Sequence, residues 1–160
     1  MPADRADLHA HSNASDGTDS PAELVRAAAE AGLAVVAITD HDTTRGWAEA
    51  EAALTRHDGL RLVRGAEISC VWEGVSLHLL AYLFDPDHQE LSDEMAMALD
   101  DRVPRAKAIV AKLAEAGYPI TWDLVLAQLQ DGATVGRPHI ADTLVAPSCS
   151  WASTRSQVIG

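Results

Sequence analysis

The chain lacks the features on which secreted, membrane-spanning and nucleic-acid-coating proteins depend. It has two cysteines among 160 residues and no apolar signal segment at its N-terminus, which disfavours a disulfide framework. No uninterrupted apolar run is long enough to span a bilayer. Basic residues number 12 against 24 acidic ones, and the net charge of −12 argues against a broad cationic surface for nucleic acid. We therefore expect a cytoplasmic protein that binds neither a membrane nor extended duplex nucleic acid.

Aromatic residues are also scarce, at 4% of the chain, so a core has to be built from alanine, leucine, valine and isoleucine. The apolar share of 48% and the charged share of 22% are those of an ordinary globular protein. The length predicts one domain but falls short of the roughly 250 residues of a complete (β/α)8 barrel. Any barrel in this chain is therefore expected to be incomplete.

The first half of the chain alternates predicted strands and helices. A short strand over 6–8 is followed by a capping box at 20–23, which starts a helix. Residues 33–38 form a continuous apolar run, typical of a parallel strand that is buried on both faces. Another strand is predicted over 60–63, and the pattern over 68–83 predicts a hairpin that turns at Glu73-Gly74.

The second half has a helical pattern from residue 89 onward. Four helices are predicted, over 90–101, 104–116, 121–129 and 138–145. The predicted organisation is an α/β segment over 1–88, a helical subdomain over 89–145 and an irregular tail over 146–160.

A histidine pair next to the N-terminus is the first chemical signal. His9 and His11 are two positions apart, and in an extended segment such residues point to the same side. Asp16 lies on the loop that follows, where Gly17 helps the chain to fold back. Alone, this pattern fits two surface histidines nearly as well as a metal site.

Further ionisable residues lie at or within predicted strands, where α/β proteins place ligands. The segment Thr39-Asp40-His41-Asp42 follows the buried strand, and Asp40 is either a ligand or an acceptor that orients a histidine. Glu67 and His78 interrupt apolar strand patterns, and a buried carboxylate needs a partner. Imidazole and carboxylate ligands together favour Zn, Mn or Fe, and two such ions suit phosphoester hydrolysis.

Two helix starts combine arginine with proline. Arg102 and Arg105 bracket Val103-Pro104, and Arg137 precedes Pro138 and His139. Arginine binds phosphate through its planar fork, and the first N–H groups of a helix suit an anion. The alternative is that these arginines only keep the helices soluble.

Together, DLHAHSNASDGT, ITDHDTT, GAEIS, SLHLLAYLFD and GRPHIA resemble the PHP-domain metal-dependent phosphoesterases, from about Asp7 to Val145. The similar branch acts on nucleoside 3′,5′-bisphosphates and short RNA ends. The resemblance implies an α/β fold, the N-terminal part of a distorted (β/α)7 barrel followed by a helical insertion. It also implies two or three divalent ions and attack of a metal-bound hydroxide on phosphorus.

The resemblance further implies a role for each matching residue. His9 and His11 would bind one metal, Asp16 and His41 another, Glu67 would bridge two, and His78 would complete a further site. Substrate contacts would come from Asp42, Arg102, Arg105, Arg137 and His139.

The end of the sequence departs from the family pattern, since APSCSWASTRSQVIG brings none of the later ligands. We expect a C-terminally truncated member, with a frame change or a truncated gene as its hypothetical origin, and with weak or absent turnover. The alternatives to a phosphoesterase are an inactive PHP metal-binding fragment and a PHP phosphatase for another small substrate such as histidinol phosphate. A nucleic-acid-binding module without catalysis is disfavoured by the acidity of the chain. The oligomeric state is not predicted.

Overall fold

A computed structural model describes residues 5–129 and 134–146 of the chain. The predicted irregular tail therefore lies outside the described residues, except for Ala146. No helix in the described ranges combines the length and the apolar character that crossing a membrane requires. The chain forms two compact units. The first holds the described residues up to Asp101 with Thr134, and the second holds Arg102–Leu129 and the described residues from Val135.

Strands and helices alternate in the first unit, whereas the second is helical. The strands are β1 (Ala6–Ala10), β2 (Val35–Ile38), β3 (Arg61–Trp72) and β4 (Val75–Tyr82). The helices are α1 (Pro21–Glu30), α2 (Trp47–Leu54), α3 (Gln89–Asp100), α4 (Arg102–Glu115), α5 (Trp122–Leu126) and α6 (Arg137–Val145). The division into units falls after α3, whereas the predicted domain boundary precedes it, and the predicted boundaries stay a prediction.

The four strands form one sheet in the order β1-β2-β3-β4. β1 pairs with β2 and β2 with β3 in parallel, as the predicted βαβ unit requires. β3 and β4 pair antiparallel from Gly65 opposite Tyr82 to Trp72 opposite Val75, which confirms the predicted hairpin. The predicted strands at 60–63 and 68–72 are one continuous strand, because the chain runs through Gly65 without a break.

The sheet curls until its two edge strands meet. The hydroxyl of Tyr82 on β4 donates a hydrogen bond of 2.7 Å to the carbonyl oxygen of Leu8 on β1. A flat four-stranded sheet would hold these strands about 14 Å apart, since neighbouring strands are about 4.8 Å apart. The curl therefore turns one face of the sheet into a concave surface.

Local capping fixes where the first helix begins. Ser20 accepts a hydrogen bond from the backbone N–H of Glu23, and the Glu23 carboxylate accepts from the Ser20 N–H, which confirms the predicted capping box. The start of α2 has no comparable side-chain cap. The helix starts after Gly46, and the Thr43 hydroxyl accepts from the N–H of Arg45.

The core of the first unit lies between the sheet and α1 and α2. It contains the buried side chains of Val25, Ala28, Val36, Ile38, Trp47, Ala50, Ala53 and Leu60. The indole N–H of Trp47 donates to the carbonyl of Gly65 at 2.9 Å, so the one large aromatic ring of this core is also satisfied as a donor. The second unit has its own core of Ala106, Val110, Ile120, Val125, Val135 and Ile140.

Candidate metal centre

The curled sheet brings ionisable side chains from all four strands to one place. β1 carries His9, and His11 follows its last residue. His41 lies beyond the end of β2 and forms an isolated parallel bridge with Glu67 of β3, while β4 supplies His78. These residues meet because parallel strands end at the same edge and because the hairpin folds β4 back over β3.

The carboxylate of Glu67 lies at the centre of this group. Its Oε2 is 2.6 Å from Nε2 of His9 and 3.0 Å from Nε2 of His11. Its Oε1 is 3.2 Å from Nδ1 of His78 and 3.9 Å from Nδ1 of His41. The residue is only 6% exposed, so one buried carboxylate faces four imidazoles.

Asp16 forms a second point of convergence. Its Oδ1 is 3.6 Å from Nδ1 of His11, and its Oδ2 is 3.7 Å from Nε2 of His41. Both distances exceed that of an ordinary hydrogen bond. Asp16 and the two imidazoles therefore surround a space without bonding to one another there.

Three groups in the described residues have ligand atoms within 4.8 Å of one another. We call them the His9 cluster (His9, His11, Glu67), the Asp16 cluster (His11, Asp16, His41) and the His78 cluster (His41, Glu67, His78). The structure thus brings together all six residues predicted as metal ligands. Their binding of an ion stays a prediction.

The donor set fits divalent cations. Neutral imidazole nitrogens and carboxylate oxygens suit Zn, Mn and Fe, and each cluster contains both kinds of atom. Nδ1 of His11 is buried and has no hydrogen-bond partner among the described residues, although it faces Asp16. A buried polar atom without a partner is costly, and an ion between His11 and Asp16 would remove that cost.

The electrostatics of the group keep Glu67 ionised. Burial acts to raise the pKa of Glu67, but the hydrogen bond with His9 and the charges of His41 and His11 outweigh it, so that the pKa lies below its ordinary value. An anionic carboxylate is the form that binds a metal ion.

Asp40 has a different environment from the one expected. Its carboxylate accepts hydrogen bonds of 2.7 Å from the N–H and the hydroxyl of Ser12 and from the hydroxyl of Ser15, so it orients a loop rather than a histidine. Burial raises the pKa of Asp40, and the serine hydrogen bonds oppose that rise.

Asp42 is buried as well, at 3% exposure, with a φ of 52°. One carboxylate oxygen accepts from the backbone N–H of Ser69 and the other from its hydroxyl, both at 2.7 Å. The predicted contact of Asp42 with substrate stays a prediction.

The other predicted substrate residues belong to the second unit. Arg102 and Arg105 lie in the first turn of α4, and Arg105 is exposed. Arg137 is exposed at the first position of α6, whereas His139 is buried and its Nδ1 accepts from the N–H of Gly136 at 3.0 Å. The hydrogen bond between Gly136 and His139 caps the start of α6. The role of all four residues toward substrate stays a prediction.

The serines that donate hydrogen bonds to Asp40 and Asp42 were not predicted from the sequence. Ser12 and Ser15 are fully buried, and Ser69 joins β3 to Asp42. A signal was present, because small hydroxyl residues follow the histidine pair in SNAS and follow Glu67 in EIS. Their partners lie 25 to 28 positions away, which no local pattern reveals.

Comparison with known proteins identifies relatives of this chain. The family profile described as PHP domain matches residues 7–131. The 5′-3′ exoribonuclease Rnm of Salmonella typhimurium is 37% identical over 153 residues, which cover 95% of this chain and 51% of that protein. The 3′,5′-nucleoside bisphosphate phosphatase of Chromobacterium violaceum is 34% identical over 139 residues, covering 87% of this chain and 48% of that protein.

A solved structure agrees with these relatives. A protein of Bifidobacterium adolescentis, described as a metal-dependent phosphoesterase, superposes with a TM-score of 0.80 and is 48% identical. The match covers 90% of this chain and 50% of that one. The chain thus spans about half the length of the relatives that it matches.

Proposed function

Because the chain belongs to the PHP-domain family, we propose that it is a metal-dependent phosphoesterase. Its substrates are phosphate esters of nucleotide-like molecules, either nucleoside 3′,5′-bisphosphates or short RNA ends. The observation that carries the proposal is the set of three interlocked clusters, in which four imidazoles and two carboxylates converge. Relatives named as an exoribonuclease and as a bisphosphate phosphatase support the substrate class.

The family and the clusters support divalent metals as the cofactor class. We further propose two or three ions of Mn, Zn or Fe. His9 and His11 would hold one ion, Asp16 and His41 another, Glu67 would bridge two, and His78 would complete a further site. The bridging role is supported by the membership of Glu67 in two clusters, although His11 and His41 also belong to two clusters each.

Bound divalent ions supply Lewis-acid charge that activates water and neutralises phosphate oxygens. The residues of the chain do the rest. Glu67 places a buried anionic carboxylate among the histidines, and Asp16 faces both His11 and His41. The His9 side chain is 50% exposed, against 9% for Glu67, so substrate reaches the centre from the side of His9.

Phosphate binding by the second unit is part of the proposal. Arg102, Arg105 and Arg137 bind phosphate oxygens through their guanidinium groups, with His139 as a further contact. The support is the planar guanidinium fork in an otherwise acidic chain.

In the deciding experiment, the purified chain is loaded with Mn²⁺ or Zn²⁺ and incubated with each of three substrates. The substrates are 3′-phosphoadenosine 5′-phosphate, a short 5′-phosphorylated RNA and histidinol phosphate, and phosphate or nucleotide release is followed over time. We expect release from the first two to depend on the metal and to be weak, in line with the low turnover predicted from the sequence. His9→Ala should abolish it, while His57→Ala, in the loop after α2, should keep the rate of the unmodified chain.

Other outcomes favour the alternatives. Metal uptake without release from any substrate would favour a metal-binding module without turnover. Release from histidinol phosphate alone would favour a phosphatase for that small substrate.

A further inference from the structure

Two aspartates flank His41, and each contacts a different part of the candidate metal centre. Asp40 is 1% exposed and Asp42 is 3% exposed. Burial of a carboxylate is costly unless it is hydrogen-bonded, so the partners of these two residues indicate what the burial achieves.

Asp40 holds the loop between two ligands of the Asp16 cluster. Ser12, which donates to it twice, directly follows His11, and Ser15, which donates once, directly precedes Asp16. Both oxygens of Asp40 are occupied by these bonds of 2.7 Å. Asp40 is therefore placed to set the separation of His11 and Asp16 without being a ligand itself.

Asp42 holds the hairpin that carries the His78 cluster. Ser69, whose N–H and hydroxyl both donate to Asp42, lies two residues after Glu67 and pairs with His78 in the β3–β4 register. The N–H of Asp42 also donates to the carbonyl of Glu67, at 3.1 Å. The left-handed backbone at Asp42, which aspartate tolerates better than most residues, lets its side chain and its N–H reach β3 together.

We propose that Asp40 and Asp42 are positioning residues that set two parts of the metal centre separately. Asp40 fixes the Asp16 cluster through the loop at 12–15, and Asp42 fixes the His78 cluster through Ser69. His41 lies between them and belongs to both clusters. The proposal rests on the proposed function, and it gives Asp42 a structural duty in place of the predicted substrate contact.

Mn²⁺ titrations of the full chain by calorimetry test the separation. Asp16→Ala removes a ligand of the Asp16 cluster alone, and His78→Ala removes one of the His78 cluster alone. In the His78→Ala background, Asp40→Asn should weaken Mn²⁺ binding by about 10-fold. In the Asp16→Ala background, Asp40→Asn should change the affinity for Mn²⁺ by less than about twofold, because the Asp16 cluster, which Asp40 positions, is already disrupted.

Asp42→Asn should give the reverse pattern, with about a 10-fold loss in the Asp16→Ala background only. Asp58→Asn, which removes the same charge from an exposed loop, serves as the control and should change nothing. If Asp42 contacts substrate instead, Asp42→Asn would raise KM and leave the affinity for Mn²⁺ unchanged in both backgrounds. That result would overturn the inference for Asp42.

Circular dichroism shows whether the aspartate variants fold. If one does not, Ser15→Ala replaces Asp40→Asn and Ser69→Ala replaces Asp42→Asn, with the same pattern expected. Equal losses in both backgrounds, or none, would overturn the inference. A chain that binds Mn²⁺ but releases no phosphate would overturn the proposed function and leave the positioning result standing, whereas a chain that binds no ion would overturn both.

Discussion

Oε2 of Glu67 lies 2.6 Å from Nε2 of His9, although 58 positions separate the two residues in the chain. This contact spans from β3 across β2 to the edge strand β1. Glu67 also belongs to the His78 cluster. Its carboxylate therefore faces four of the five other candidate ligands.

Glu67→Gln should reduce metal uptake and phosphate release together. The amide keeps the size of the side chain but loses the charge that opposes four imidazoles, and we expect a loss of affinity of about 10- to 100-fold. Metal content after dialysis and the initial rate of phosphate release measure it. Glu51→Gln, which removes an exposed carboxylate beside Arg64, is the matched control. Unchanged metal content in Glu67→Gln would contradict the assignment.

Gly17→Ala should displace His11. A Cβ at position 17 would lie 2.4 Å from the carbonyl oxygen of His11 and 2.7 Å from its carbonyl carbon, so the backbone has to move. We expect weaker Mn²⁺ binding, measured by calorimetry, together with a lower Tm. Gly32→Ala separates the two effects, because its φ of 70° strains alanine while nothing lies within 4 Å of the added atom. It should lower Tm and keep the affinity for Mn²⁺, and a Gly17→Ala chain with full affinity would refute the argument.

Ser20→Ala should lower the free energy of unfolding by about 1 kcal/mol. It removes the hydroxyl that accepts from the N–H of Glu23 and donates to the Glu23 carboxylate. Urea denaturation followed by circular dichroism measures the change. A loss within the error of the measurement would mean that α1 is held by packing alone.

Acid should remove part of the stabilisation at the same cap. Hydrogen bonds from the backbone N–H and hydroxyl of Ser20 hold the pKa of Glu23 below its ordinary value of 4.5. The stabilisation is present above pH 4.5 and is lost as the pH falls through the lowered pKa. Glu23→Gln should therefore differ from the unmodified chain in unfolding free energy near neutral pH and converge with it in acid. Glu94→Gln, exposed on α3, should show no such convergence.

Ile38→Ala should destabilise the first unit by about 2–5 kcal/mol, because it leaves a cavity at a fully buried position. Chemical denaturation of the full chain measures the loss. Leu79→Ala offers a comparison at a side chain that is 59% exposed, where we expect a change within about 0.5 kcal/mol. A similar loss of unfolding free energy for Ile38→Ala and Leu79→Ala would contradict the placement of Ile38 in the core.

The sequence predicted the elements of this fold where the local signals were strong. The capping box at Ser20, the buried strand before Asp40 and the turn at Glu73-Gly74 all depend on short-range rules, and all three are present in the structure. Boundaries without such a signal were less accurate. β1 runs on to Ala10, past the predicted end at Leu8, because its pairing with β2 continues to Ile38.

The site was predictable in its residue types but not in its supports. The histidine pair at i and i+2, the polar segment after the buried strand and the ionisable residues within apolar strands pointed to the candidate ligands, whose convergence only the tertiary structure shows. The bonds from Asp40 to Ser12 and from Asp42 to Ser69 join segments 28 and 27 positions apart. Serine at these positions looks like any loop or strand serine until the tertiary structure buries it.

The hydrogen bond between Tyr82 and Leu8 links the geometry of the site to a group that takes no part in its chemistry. Leu8 precedes His9, and Tyr82 lies on the strand that carries His78, so the bond joins the backbones behind the outermost two candidate ligands. One hydrogen bond at the rim of the sheet, outside every ligand motif, therefore ties together the two edge strands that carry His9 and His78.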